Sequence, residues 1–127
     1  MRNRLKMISV LFLLALVVRP VMAEETKAVK TMATILMTME HFPTPADKTA
    51  LKALADDKAT TPQELVLVNA ITNLQHSVSA ADKPKVEALA TDTAASAGVK
   101  TLGGIVAKFT HKVASDAEKA ELKKLTQ

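Results

Sequence analysis

Apolar residues recur at helical spacing in three stretches of the chain, and the stretches lie 35 residues apart. The matching positions are Met32, Leu36 and Met39, then Leu67, Ile71 and Leu74, then Leu102, Val106 and Phe109. A shorter apolar pair follows each stretch: Leu51 and Leu54, Val86 and Leu89, Leu122 and Leu125. Such spacing predicts helices, and a period of this length is typical of stacked pairs of secondary-structure elements. We therefore expect an all-α fold of three tandem helical hairpins, six helices in total.

Helix-start signals mark the second helix of each hairpin. A hydroxyl residue is followed three residues later by an acid in Thr44–Asp47, Ser79–Asp82 and Ser115–Glu118, which is the pattern of an N-cap with a reciprocal carboxylate. A fourth such pair, Thr61 and Glu64, opens the middle repeat. We predict repeats over about 26–60, 61–95 and 96–127, with the first helices running to His41, His76 and His111. The sequence leaves open whether the hairpins form a short solenoid or a compact helical bundle.

The N-terminal segment has the pattern of a secretory signal peptide. Basic residues in 1–6 precede an apolar run over 7–18 that is short for a membrane span, and 21–23 reads Val-Met-Ala. We predict cleavage after Ala23, which leaves a single helical-repeat domain over 24–127 in the periplasm or outside the cell. No stable membrane anchor would remain after cleavage, whereas an uncleaved N-terminal anchor is the alternative.

Removing this segment changes the charge balance. Four of the 17 basic residues (Arg2, Arg4, Lys6 and Arg19) lie in it, so 13 lysines face 13 acidic residues in the remainder. A nearly neutral chain without arginine is a poor match for nucleic acid. The sequence has no cysteine, which excludes disulfides and covalently attached haem. We expect no cofactor, and we find no catalytic motif, so the protein is not expected to be an enzyme.

The three histidines, His41, His76 and His111, share the 35-residue spacing and are candidate ligands for Zn, Cu or Ni, with Met39 as a further soft ligand. However, equivalent residues on stacked helices lie about 8–10 Å apart. We therefore expect each histidine to lie separately at a helix C-terminus, where it favours the helix dipole. A shared metal site would require the three helix ends to converge, which a compact bundle allows and an open solenoid does not.

The leading functional hypothesis is a small exported helical-repeat protein that binds a protein or peptide partner in the cell envelope. Met37 and Leu65 are the candidate partner contacts, because repeat hairpins build extended binding surfaces. The alternative is a periplasmic metal-binding protein that uses the repeated histidines and nearby methionines. The period is similar in length to that of tetratricopeptide repeats, but the chain lacks their Trp and Tyr residues, so we assign no family.

Overall fold

The computed structural model describes residues 25–113 and 115–127, which form a compact arrangement of six α-helices without a β-strand. The helices are α1 (Lys27–Thr38), α2 (Pro45–Asp56), α3 (Pro62–Thr72), α4 (Lys83–Ala88), α5 (Ala97–Lys108) and α6 (Asp116–Leu125), and a short 3₁₀ turn (Leu89–Thr91) follows α4. The all-α prediction is confirmed. The predicted signal peptide and its cleavage site lie outside the described residues.

No helix in the described part of the chain has the length and apolar character needed to cross a bilayer.

Helices α1, α3 and α5 contact one another at the centre of the fold, and the other three helices lie between successive members of this group. Helix α2 contacts α1 and α3, α4 contacts α3 and α5, and α6 contacts α5 and α1. The last helix therefore returns to the first. The described helices close on themselves, so they form a compact bundle and do not extend as an open solenoid.

The core is built from the apolar positions that recur along the sequence. Leu36, Ile71 and Val106 are each 0% exposed, as expected from their place on the apolar stripe. The other members of the three stretches are also buried, as are the apolar pairs that follow them. Burial of each such side chain contributes about 1.5–3 kcal/mol to folding, and in this arrangement one continuous core serves all six helices.

The central helices begin at equivalent positions. Their N-caps are Thr26, Thr61 and Ser96, and each side chain accepts a hydrogen bond from the backbone N–H three residues later. The predicted capping boxes of α2 (Thr44 with Asp47) and α3 (Thr61 with Glu64) are both present. These caps satisfy N–H groups that have no partner within the helix, which explains why helices this short have defined starts.

Helix α4 departs from the prediction. Ser79 was expected to be its N-cap, but the helix begins at Lys83, and Ser79 accepts the Asp82 N–H one turn earlier. Pro84 in the first turn has no N–H to donate, which accounts for the late start. In α5, an added Cβ at Gly103 would lie 3.3 Å from the Val86 carbonyl oxygen, so this glycine permits close packing against α4.

Candidate metal centre

The three histidines lie in turns just beyond the central helices. Helices α1, α3 and α5 were predicted to run to the histidines, but they end at Thr38, Thr72 and Lys108. A buried apolar residue occupies the intervening segment in each case: Met39, Leu74 or Phe109. The chain leaves helical geometry before it reaches the histidines, with extended ψ angles of 136° at Met39 and 125° at Phe109. The histidine N–H groups then bond to carbonyl groups of neighbouring turns.

These bonds form a closed ring of three backbone hydrogen bonds. The N–H of His41 donates to the carbonyl of His111, the N–H of His76 to that of His41, and the N–H of His111 to that of His76, each at 2.5 Å. Every histidine thus uses its own N–H and carbonyl to hold the other two. The ring joins the three turns at one end of the bundle.

Each histidine is also the central residue of a γ-turn. The N–H of the following residue donates to the carbonyl of the preceding residue, at 2.6 Å across His41 and 2.7 Å across His76 and His111. The φ angles of the three histidines are 63°, 66° and 66°, and no other non-glycine residue in the described ranges has a positive φ. This type of γ-turn is rare and strained. Strained backbone of this kind costs about 1–3 kcal/mol per residue and clusters at functional sites.

The side chains converge on one point. The Nδ1–Nδ1 distances are 3.2 Å between His41 and His76, 3.1 Å between His76 and His111, and 3.3 Å between His111 and His41. The ring centroids lie farther apart, at 5.0–5.3 Å, so the Nδ1 edges point inward. The expectation of separate histidines about 8–10 Å apart is wrong, because the bundle closes and its turns meet.

A triangle of Nδ1 atoms cannot satisfy itself by hydrogen bonding. The Nδ1 atom of a neutral imidazole either donates or accepts, and it cannot do both. Around three atoms, donors and acceptors cannot alternate, so at least one edge always pairs two donors or two acceptors. A cation on the axis of the triangle would accept all three lone pairs at once. The side chains of all three histidines are exposed, so such an ion could reach them from solvent.

The triangle has suitable dimensions for a transition metal. Two nitrogens bound to one zinc lie about 3.3–3.4 Å apart in a tetrahedral site with ordinary Zn–N bonds of about 2.0–2.1 Å. With the same bond lengths, two neighbouring ligands of an octahedral site lie about 2.8–3.0 Å apart. The observed range of 3.1–3.3 Å falls between these values. Three nitrogens on one side of a metal leave at least one coordination position open, as in catalytic and exchangeable sites.

The remaining predicted site residues lie away from this cluster's exposed face or are partly covered. Met39 is 3% exposed and belongs to the core. Met37 is half-buried against the core, and Leu65 is also half-buried. Sequence reasoning missed Phe42, which is 55% exposed and directly follows His41. The shared 35-residue spacing of all three histidines was the available signal for their convergence.

Comparisons of the chain with protein-family models, with curated proteins and with solved structures found no match.

Proposed function

We propose that the protein binds a first-row transition metal ion through the Nδ1 atoms of His41, His76 and His111. The observation that carries this proposal is the triangle of exposed Nδ1 atoms with edges of 3.1–3.3 Å. Imidazole nitrogen suits Zn, Cu and Ni, whereas Mg and Ca prefer oxygen ligands. Met39 is not part of the proposed site because it is buried in the core.

The proposal includes an internal threefold repeat, with one metal ligand from each copy. Three features recur at intervals of 35 residues: the N-caps Thr26, Thr61 and Ser96, the strained histidine turns, and the buried stripe residues. A site built by equivalent residues needs each copy to supply only one ligand. The closed helix arrangement supports this assignment, because it brings equivalent turns together.

The proposed location is the periplasm or the exterior of the cell, with the protein acting as a binder and not as an enzyme. This part of the proposal rests on the signal-peptide pattern of the first 23 residues. Partner binding through Met37 and Leu65 stays a prediction. It has less support than metal binding, because both side chains are half-buried while the histidine cluster is exposed.

Calorimetric titration with Zn²⁺, Cu²⁺ and Ni²⁺ tests the metal site. We expect one equivalent to bind and to raise the free energy of unfolding, by about 2.7 kcal/mol at a free-metal concentration 100 times Kd. Replacing a residue that only hydrogen-bonds to a metal ligand typically costs 10–100-fold in affinity. Removing a ligand itself should cost more, so we expect His41→Gln, His76→Gln and His111→Gln each to weaken binding by about 100-fold or more. The three losses should be similar, because the three ligands are equivalent.

Lys112→Gln is the matched control, since Lys112 is exposed and adjoins His111 without belonging to the triangle. It should leave the stoichiometry unchanged. Single-histidine variants that bind metal as tightly as the unmodified protein would overturn the proposal. Unequal losses, with one histidine dispensable, would also overturn it, because that result describes adventitious binding to surface imidazoles.

A further inference from the structure

The three histidine turns differ in the residue that follows the histidine. Phe42, Ser77 and Lys112 occupy this position, and all three are exposed. Phe42 is the one large apolar side chain in the described ranges that is strongly exposed, at 55%. Its exposure is not required by the turn, because Ser77 and Lys112 occupy the same position in the other two turns. A difference at an otherwise repeated position points to a role that only one side of the site performs.

An open pocket of about 320 Å³ lies beside Phe42 and reaches His76 of the histidine cluster. It is lined by Phe42, Lys48, Thr72, Leu74, Gln75 and His76. This lining contains one lysine, Lys48, and no acid, so the pocket favours an anion. Its volume is at the lower end of the range for small-molecule sites, about 300–1,000 Å³.

A second pocket beside the cluster has a different lining. It has a volume of about 200 Å³ and is lined by Glu40, His41, His111 and Lys112. Its acid and its lysine balance in charge, and it has no apolar side chain. Both pockets reach the histidine cluster, and they differ in their other lining residues: the pocket beside Phe42 contains a lysine, an exposed aromatic ring and no acid.

We infer that the metal centre binds an organic carboxylate with an apolar group, seated in the pocket beside Phe42; this inference rests on the proposed metal site. A carboxylate oxygen is an ordinary zinc ligand at about 2.0–2.2 Å and fills the position that three histidines leave open. Lys48 favours the negative charge of the ligand. The apolar group packs on the exposed ring of Phe42, where offset or edge-to-face ring contacts are favourable.

Titrations of the Co²⁺-loaded protein test this inference, because the visible absorption of Co²⁺ reports a change in its ligands. The probes are acetate, benzoate and benzyl alcohol. We expect benzoate to bind about tenfold more tightly than acetate, since its ring covers apolar surface. Benzyl alcohol, which lacks the carboxylate, should cause no spectral change at the same concentrations. Equal affinities for acetate and benzoate would overturn the inference.

Variants of the pocket residues test whether the preference for benzoate over acetate arises in the pocket beside Phe42. Phe42→Ser introduces the residue of the second turn and should remove the tenfold advantage of benzoate, while Lys48→Gln should weaken binding of both carboxylates. Lys112→Ser, in the other pocket, is the matched control and should preserve the advantage. An advantage that survives in Phe42→Ser, or that is lost in Lys112→Ser, would contradict the assignment to this pocket.

One further measurement separates the possible outcomes. A separate Co²⁺ titration of every variant isolates the metal site. Failure to bind Co²⁺ would overturn the proposed function, whereas Co²⁺ binding without a carboxylate preference would overturn only the inference drawn from Phe42.

Discussion

The two ends of the central helices α1, α3 and α5 differ in how their polar side chains find hydrogen-bond partners. At their N-terminal end, one buried carboxylate, that of Glu64, is 2% exposed and bonds to the N-cap residues of α1 and α3. Its Oε1 atom accepts the Thr61 N–H at 2.9 Å, and its Oε2 atom accepts a hydrogen bond from the Thr26 hydroxyl. At the opposite end, three identical imidazoles meet. Residues of the chain itself satisfy the carboxylate at the first end, which we call the closed end, whereas the three Nδ1 atoms at the other end cannot all be satisfied by one another.

The N-terminal end can bury one carboxylate because the three equivalent positions carry different residues. The positions 35 residues before and after Glu64 hold Val29 and Val99, both buried. One buried carboxylate at the N-termini of α1 and α3 is favoured by their partial positive charge, whereas three buried carboxylates would repel one another. With Glu64 bonded on both oxygens, no buried side-chain polar atom in the described residues lacks a partner.

At the histidine end, the three equivalent positions carry the same residue. Three equivalent Nδ1 atoms form a triangle in which donors and acceptors cannot alternate, so the cluster is completed only by a species from outside the chain. We therefore attribute the lone buried carboxylate of Glu64 to the stability of the fold, and the presence of histidine in all three turns to the proposed metal binding. This contrast leads to predictions that change one end at a time.

The core shared by both ends should give the largest effect. Ile71 lies in α3 between Glu64 and the His76 turn and is 0% exposed. Ile71→Ala should lower the free energy of unfolding by about 2–5 kcal/mol, because it leaves a cavity in a closed core. The control Thr44→Ala removes an exposed N-cap and should cost about 0.5–2 kcal/mol. Urea unfolding measures both, and equal small losses would contradict the assignment of Ile71 to the common core.

Removing the carboxylate should affect the closed end alone. Glu64→Ala leaves the Thr61 N–H without its partner and should cost about 1–3 kcal/mol of stability, with the affinity for Zn²⁺ unchanged. Glu64→Val, which introduces the residue found at positions 29 and 99, separates lost volume from lost hydrogen bonds. Thermal and urea unfolding give the stability, and calorimetry gives the affinity. A large fall in Zn²⁺ affinity in either variant would show that the two ends are not independent.

The closed end illustrates what the sequence could predict. The Thr61–Glu64 capping box, the apolar stripe and the all-α class follow from local patterns, because caps and helical periodicity depend on residues within one or two turns. The pattern gives no information on the burial of Glu64 or its bond to Thr26, which joins residues 38 positions apart. Such a contact depends on how the helices are arranged around one another.

The histidine end shows the limit more clearly. A repeat period defines the unit but not the rotation between units, so the sequence could not distinguish a closed bundle from an open solenoid. Glycine is the usual signal for a positive φ, and His41, His76 and His111 carry no such signal. The helices predicted from the sequence are therefore longer than those in the structure. The histidine N–H groups bond to carbonyl groups of other turns, and no local pattern encodes these bonds.

The smallest predicted effect concerns backbone strain at the histidine end, and it should reverse an ordinary rule. Glycine normally destabilises a helix relative to alanine by about 0.5–1 kcal/mol. At His76, where φ is 66°, alanine places a Cβ in a left-handed conformation that costs about 1–2 kcal/mol, whereas glycine adopts it freely. In the presence of a chelator, His76→Gly should therefore be more stable than His76→Ala by about 1 kcal/mol. Both variants lack the Nδ1 atom, so their difference isolates the backbone from the metal site. Thr34, which is exposed in the middle of α1, is the matched control. At this position Thr34→Ala should be more stable than Thr34→Gly by about 1 kcal/mol. Urea unfolding of the four variants measures both differences, and the same sign at the two positions would refute a strained turn at His76.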